Sequence, residues 1–65
     1  MKKYGIEIIG YGTHRRYCIK EILHSGTNPI DGKAYKTEDG ARAAAEHLGL
    51  TVEGVGDLWE LLALA

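Results

Sequence analysis

The sequence predicts an α+β fold, in which a small antiparallel sheet of two or three strands packs against two C-terminal helices. Three observations predict it. Apolar and polar residues alternate near the N-terminus, as in a strand with one buried face. A stretch rich in turn formers follows, and the rest of the chain repeats apolar residues at helical spacing. A chain of 65 residues has material for one core, so residues 1–65 are predicted to form a single domain.

The first strand is predicted in "KKYGIEIIGYG", where every second residue is apolar: Tyr4, Ile6 and Ile8. Gly10 and Gly12 then supply the freedom of φ that a tight reversal needs. The stretch "RRYCIKEIL" alternates again and predicts the second strand of a hairpin. The alternative is a helix over residues 14–24 capped by Thr13, but its first turn would set basic residues against the positive end of the helix dipole.

Residues 24–33 are predicted to form a surface loop, because Gly, Asn, Pro and Asp crowd this stretch and all favour turns. A loop of this length is costly to order in a small domain, so it is a candidate contact surface. Residues 34–36 are predicted to add a short third strand at the edge of the sheet. Lys33 and Lys36 would discourage further pairing there.

The first helix is predicted in "TEDGARAAAEHLG". Thr37 provides the N-cap, two acidic residues follow it in the first turn, and Gly49 ends the helix. Small side chains on the predicted buried stripe let the helix lie close to the sheet. The stripe comprises Ala41, Ala44, Ala45 and Leu48.

Residues 50–62 allow two interpretations. In one, Thr51 caps a second helix with apolar residues at helical spacing: Val52, Val55, Leu58, Trp59 and Leu62. Gly54 and Gly56 would each weaken such a helix by about 1 kcal/mol relative to alanine. In the other, "LTVEGV" is extended and the helix begins at Asp57, which forms an N-cap pair with Glu60.

Residues 45–59 resemble a helix-turn-helix, the motif that enters the major groove of DNA. The matching positions are Ala45, Leu48, Gly49, Thr51, Val55 and Leu58. All of these are packing, turn or cap positions, and the surface that would read bases carries Glu53 and Asp57 instead of cations. Because carboxylates repel phosphates, we expect a packed pair of helices and not a DNA reader.

Charge divides along the chain. Residues 1–36 form a basic strand half, with seven Lys and Arg against three Asp and Glu, a formal charge of +4. Residues 37–65 form an acidic helical half, with one Arg against six Asp and Glu, a formal charge of −5. The two halves are expected to attract each other within the fold or across a dimer.

The sequence predicts no catalytic residue, metal or cofactor, and hence a protein that is not an enzyme. Cys18 and three scattered histidines lack the spacing of a zinc site, and no carboxylates are paired as a general acid and base would be. One cysteine, a polar N-terminus and the lack of an apolar run of about 18 residues predict a cytoplasmic protein that does not contact a membrane.

The C-terminal "LWELLALA" is apolar almost all round. If Leu58, Trp59 and Leu62 face the core, Leu61 and Leu64 project elsewhere and need a cover. A second copy of the chain, forming a homodimer, or a different protein would provide it. The predicted protein-binding or dimer surface comprises Leu58, Trp59, Leu61, Leu64, Glu53 and Asp57.

The first hypothesis for the function is a non-enzymatic module that binds another protein. The alternative is a small nucleic-acid-binding regulator, in which the basic hairpin stacks tyrosine on bases and pairs cations with phosphates. The residues that would contact nucleic acid or an acidic partner are Arg15, Arg16, Lys20 and Tyr11. The acidic half makes nucleic acid the less favoured partner.

In its length and its lack of catalytic motifs the chain resembles the small accessory proteins of phages and mobile elements, among them the anti-CRISPR inhibitors. That class shares no diagnostic motif, and the likeness is one of size and composition. The resemblance implies an inhibitor that blocks a nuclease or a surveillance complex. Either the acidic half would imitate DNA, or the basic half would cover an acidic patch.

Overall fold

A computed structural model describes residues 1–65 as a four-stranded mixed sheet with two helices. The strands are β1 (Lys3–Ile9), β2 (Arg16–Ile22), β3 (Thr27–Pro29) and β4 (Val52–Gly56), and the helices are α1 (Glu38–His47) and α2 (Leu58–Leu62). The strand order is β3-β2-β1-β4. β1 is antiparallel to β2 and parallel to β4. The α+β class is therefore confirmed, whereas the predicted sheet of two or three antiparallel strands is wrong.

Side chains alternate between the two faces of the sheet, and a helix lies on each face. Ile6 and Ile19 lie opposite each other on one face, which α1 covers with its alanines. Gly5 lies on the other face, where Leu61 of α2 comes within 2.9 Å of the position that a Cβ would occupy. The buried apolar side chains are divided between these two thin layers: Ile6, Ile19, Ile22, Ala41, Ala45 and Leu61.

The hairpin of β1 and β2 is confirmed. Its seven residue pairs run from Lys3 opposite Ile22 to Ile9 opposite Arg16, and a short 3-10 turn at Gly12–His14 joins the strands. The alternative helix over residues 14–24 is wrong. In the strand, every second residue of "RYCIKEI" lies on the same face of the sheet as Ile6. A helix would not place these residues together on that face.

The loop predicted at residues 24–33 contains a strand. The chain reverses after Ile22, and β3 pairs with β2 from Thr27 opposite Ile22 to Pro29 opposite Lys20. Proline is tolerated there because β3 is an edge strand. The predicted strand at residues 34–36 is reduced to one bridge, in which Tyr17 and Tyr35 exchange backbone hydrogen bonds of 2.7 and 2.8 Å.

The first helix is confirmed. Thr37 is its N-cap, and its hydroxyl oxygen accepts a 3.0 Å hydrogen bond from the Gly40 amide. Ala41 and Ala45 are fully buried as predicted. Leu48 is 51% exposed, because it is the C-cap residue, where the chain leaves the helix.

The helix-turn-helix interpretation is wrong, because a strand lies between the two helices. β4 is parallel to β1 and sets Val52 opposite Tyr4 and Val55 opposite Ile6. α2 begins only after Asp57, as the second interpretation of this segment predicted. The carboxylate of Asp57 accepts from the Glu60 amide at 2.9 Å, and the carboxylate of Glu60 accepts from the Asp57 amide at 3.1 Å.

The basic and acidic halves of the chain are interleaved in space. β4 comes from the acidic half, yet it lies at the edge of a sheet whose other three strands come from the basic half. The two C-terminal helices consequently do not pack as a pair and are separated by the sheet. Neither helix has the length and apolar character needed to span a bilayer.

Candidate functional site

One end of the sheet collects exposed aromatic and charged side chains. Because β4 runs parallel to β1, the connection that follows β1 and the helix that follows β4 start at the same end. Residues from both segments line one shallow depression there. The lining residues are Ile8, Gly10, Tyr11, Arg15, Asp57 and Glu60. Trp59 does not line the depression but precedes Glu60 in the first turn of α2, and we group it with the lining residues under the name turn-end surface.

Both aromatic side chains of the turn-end surface are exposed to solvent. Trp59 is 76% exposed and Tyr11 is 88% exposed. A tryptophan this exposed is uncommon, since the indole is mostly apolar and its side chain is highly buried on average. The turn-end surface therefore offers a large apolar contact area in a polar setting.

The predicted orientation of the C-terminal apolar residues is wrong. Leu61 is fully buried, and Trp59, which was expected to face the core, is exposed. In α2, Leu61 and not Trp59 is the residue that faces the sheet. The helix turns Leu61 towards Gly5 and places Leu64 within 2.7 Å of a Cβ position at Gly54. Leu61 is therefore a core residue and is unavailable to a partner.

The remaining residues of the predicted protein-binding surface are dispersed. Leu58 is half-buried and Leu64 is 37% exposed beside β4. Glu53 is exposed on the edge strand, outside the depression. Asp57 is exposed within it, where its carboxylate also caps α2.

The fold separates Lys20 from the other predicted basic contact residues. Arg15 lines the turn-end depression together with Tyr11. Lys20 lies on the face of the sheet that α2 partly covers, where its ammonium is 3.6 Å from the carboxylate of Glu7 and only 18% of its side chain is exposed. The Thr27 hydroxyl donates a 2.8 Å hydrogen bond to the same carboxylate. Lys20 is thus part of a cross-strand cluster and is not free to bind a ligand.

Lys36 was predicted at the end of a short edge strand but was not among the predicted contact residues. It follows Tyr35, and the bridge between Tyr17 and Tyr35 brings it to the turn end of the β1–β2 hairpin. There it lines a second depression with Arg15 and Arg16. The signal in the sequence was the short edge strand predicted at residues 34–36, but nothing in the sequence indicates that it meets β2 at Tyr17.

Cys18 is half-buried between β1 and β3. Burial raises the pKa of its thiol, and the carboxylate of Glu7 raises it further, against the opposing effect of Lys20. The thiolate fraction at neutral pH is therefore smaller than for a free cysteine. No three His, Cys, Asp or Glu side chains lie close enough together to hold a metal ion.

Asp31 and Tyr35 form a short polar contact beside α1. The Tyr35 hydroxyl donates a 2.6 Å hydrogen bond to the Asp31 carboxylate, which also accepts from the Lys33 amide at 3.0 Å. Partial burial opposes ionisation of Asp31, but these bonds outweigh it and hold the pKa of its carboxyl below its usual value. The same bond raises the pKa of the Tyr35 hydroxyl.

We expect Tyr35→Phe to raise the pKa of Asp31 towards its usual value, because the carboxylate loses its hydroxyl donor. A carboxyl whose pKa is lowered by folding stabilises the fold above its unfolded pKa of about 4 and loses that contribution on acidification. The difference in stability between the wild type and Tyr35→Phe should therefore shrink as the pH falls below about 4. NMR titration of the Asp31 carboxyl carbon, with Tyr17→Phe as control, measures the shift. An unchanged Asp31 pKa would contradict the assignment.

No protein-family model, no curated protein and no solved structure matches this chain. What the turn-end surface can do is set by its own side chains. It presents an indole, a phenol, a guanidinium and two carboxylates at one end of the fold.

Proposed function

We propose that the protein is a non-enzymatic module that binds another protein through the turn-end surface. The observation that carries the proposal is the exposure of Trp59, 76%, on a helix whose Leu61 is fully buried. Leu61 of α2 packs in the core of the domain, whereas the larger side chain of Trp59 is exposed to water. Docking the indole into a pocket of a partner removes that apolar area from water.

The composition of the turn-end surface supports a protein partner. Residues that dominate the energetics of protein interfaces are most often Trp, Tyr and Arg, surrounded by polar side chains that exclude water. Trp59 of α2 and Tyr11 and Arg15 of the depression provide one of each, and Asp57 and Glu60 line the same depression as Tyr11 and Arg15. A partner of this surface needs an apolar pocket for the indole, flanked by a carboxylate for Arg15 and a cation for the two acidic residues.

The geometry favours a protein over a nucleic-acid strand at this surface. Two carboxylates share the depression with Tyr11 and Arg15 and would repel a phosphate backbone that crossed it. Lys20, one of the three cations of the nucleic-acid hypothesis, is already paired with Glu7. A regulator that binds strands through the hairpin would therefore have few free cations in a line.

The partner we propose is a different protein. The resemblance in size to phage accessory inhibitors makes a nuclease or a surveillance complex the first partner to test. The edge strand β4 is less suited to a second copy of the chain, because it is five residues long, irregular in its pairing with β1, and carries the exposed Glu53. These features are typical of edges that resist further strand pairing.

We expect Trp59→Ala to weaken binding of the partner at least about 30-fold, as for a central interface residue worth about 2 kcal/mol. The exposed indole contributes little to the core, so the melting temperature should change little. Leu48→Ala is the matched control, because Leu48 is another exposed apolar residue but lies at the C-terminal end of α1, outside the turn-end surface. The measurement is capture of partners from the native cell by each variant, followed by titration of the purified partner.

Three results would contradict the proposal. Equal retention of the partner by Trp59→Ala and Leu48→Ala would remove the turn-end surface from the interface. Loss of retention after nuclease treatment would point to nucleic acid. A particle of twice the chain's mass that Trp59→Ala halves, with nothing else bound, would make the partner a second copy.

A further inference from the structure

A second depression lies on the other side of Arg15, and its charged residues are all basic. It is lined by Gly12, Thr13, Arg15, Arg16, Tyr17 and Lys36, and we refer to it as the cationic depression. No carboxylate is among the lining residues. It differs in this respect from the turn-end depression, where Asp57 and Glu60 face Arg15.

The cationic depression is built from two segments that are distant in sequence. The β1–β2 connection provides the two arginines and Thr13, and the bridge between Tyr17 and Tyr35 delivers Lys36. The guanidinium of Arg16 is held in place, since its Nη1 donates to the carbonyl oxygens of Arg15 at 2.8 Å and Thr13 at 3.2 Å. A donor that is already oriented loses less side-chain entropy when it binds a ligand.

None of the three cations forms an ion pair within the chain. The ion pairs of the chain are Lys20 with Glu7 and Arg42 with Glu38, and neither involves Arg15, Arg16 or Lys36. Gathering like charges around one depression is unfavourable unless an anion joins them. An anion in the depression would lower this repulsion, so an anion is the kind of ligand that these three side chains favour.

We propose that the cationic depression binds the phosphate group of a small phosphorylated ligand, a function beyond the proposed protein binding. Guanidinium groups match the oxygens of a phosphate in geometry and charge, and the ammonium of Lys36 adds a point charge. The Thr13 hydroxyl, which makes no hydrogen bond within the chain, provides a neutral donor at the rim. Three cations around one spot suit a compact dianion, whereas an extended strand needs cations in a row.

The test is titration of the full chain with inorganic phosphate and with adenosine 5′-monophosphate near neutral pH, where a phosphate monoester with a second pKa of about 6 is mostly dianionic. Backbone amide NMR signals report the site. We expect saturable shifts confined to residues 12–17 and 36 with both probes. Adenosine should cause none, and neither should sodium chloride at the same ionic strength, which controls for screening.

Variants identify the cations that bind. Arg15→Gln and Lys36→Gln should each weaken phosphate binding about tenfold, the loss expected when one charge-assisted hydrogen bond is removed. Neither side chain bonds to the rest of the fold, so both variants should melt as the wild type does. Arg42→Gln is the matched control, because Arg42 is exposed but bonds Glu38 on α1. It should bind phosphate as the wild type does.

Several results would overturn the phosphate site. They are shifts that do not saturate, shifts that sodium chloride reproduces, and an equal loss of binding in Arg42→Gln. Binding of a single-stranded oligonucleotide with no binding of inorganic phosphate or the monophosphate would assign the cations to a polynucleotide instead. Because Arg15 borders both depressions, Lys36→Gln separates the two proposals. It should weaken phosphate binding and leave retention of the protein partner unchanged.

Discussion

We expect Leu61→Glu to leave the chain unfolded at neutral pH. Leu61 is fully buried, and its Cδ2 lies 2.9 Å from the position that a Cβ would occupy at Gly5, so the side chain packs closely on the backbone of β1. A carboxylate at that place would be buried without a partner, which costs several kcal/mol. A domain of 65 residues has a total stability of about 3–10 kcal/mol. The substitution therefore removes most or all of it.

Far-UV circular dichroism and thermal unfolding measure this loss. Leu61→Ala should fold but lose about 2–5 kcal/mol, and Leu61→Met should lose less than about 1.5 kcal/mol, since it keeps the buried volume. Trp59→Glu is the matched control, because it introduces the same charge at an exposed position of the same helix. A Leu61→Glu protein that melts with the wild type would mean that α2 does not pack on Gly5.

This placement of Leu61 changes what its substitution can reveal. If Leu61 lay on an exposed dimer surface, a smaller particle after Leu61→Glu would indicate that a dimer had dissociated. With Leu61 in the core, the same variant reports folding alone. Substitutions at Trp59 are the ones that probe association, because its side chain is in solvent.

The elements that could be predicted from the sequence are those with local causes. β1 and β2 follow from strict alternation and from the glycines between them. α1 follows from the Thr37 cap, the acidic first turn and the alanines. Each of these signals lies within about ten residues of the element that it specifies, so no knowledge of distant contacts was needed.

β4 could not be chosen over a longer helix from the sequence, because its cause is not local. Val52 and Val55 fit an amphipathic helix and a strand equally well at this length. What decides is pairing with β1, almost fifty residues earlier in the chain, where Val55 meets Ile6. Gly54 and Gly56 favour the strand, since each weakens a helix. Gly54 and Gly56 leave room for Leu64 and Glu60 to approach the strand closely.

The candidate sites were harder to predict than the fold for the same reason. Tyr11 and Arg15 were identified from their type, but their proximity to Asp57 depends on β4 running parallel to β1. Lys36 joins Arg15 only through the bridge between Tyr17 and Tyr35. Composition therefore indicated which side chains were available, and the topology decided which of them meet.

We expect Gly10→Ala to have the second-largest effect on stability. Gly10 has a φ of +83°, a region in which residues with a side chain are strained by about 1–3 kcal/mol. An added Cβ would also lie 2.6 Å from the carbonyl oxygen of His14, which cannot move without opening the turn. The two penalties act together, so the loss should exceed the strain alone.

Two other glycines separate strain from collision. Gly12 also has a positive φ, +54°, but an added Cβ there meets no atom within 4 Å. Gly12→Ala should therefore cost only the strain, about 1 kcal/mol. Gly26→Ala meets no atom either, and the φ of Gly26 is not positive, so its stability should stay near that of the wild type.

The order of unfolding free energies is thus expected to be Gly26→Ala above Gly12→Ala above Gly10→Ala, as measured by chemical denaturation. Because the turn carries Arg15 and Arg16 into the cationic depression, Gly10→Ala should also weaken phosphate binding under conditions where it is still folded. Gly26→Ala, which lies in the turn before β3, should leave phosphate binding intact. Equal stability of the Gly10→Ala and Gly12→Ala proteins would show that the close approach of His14 does not constrain the turn.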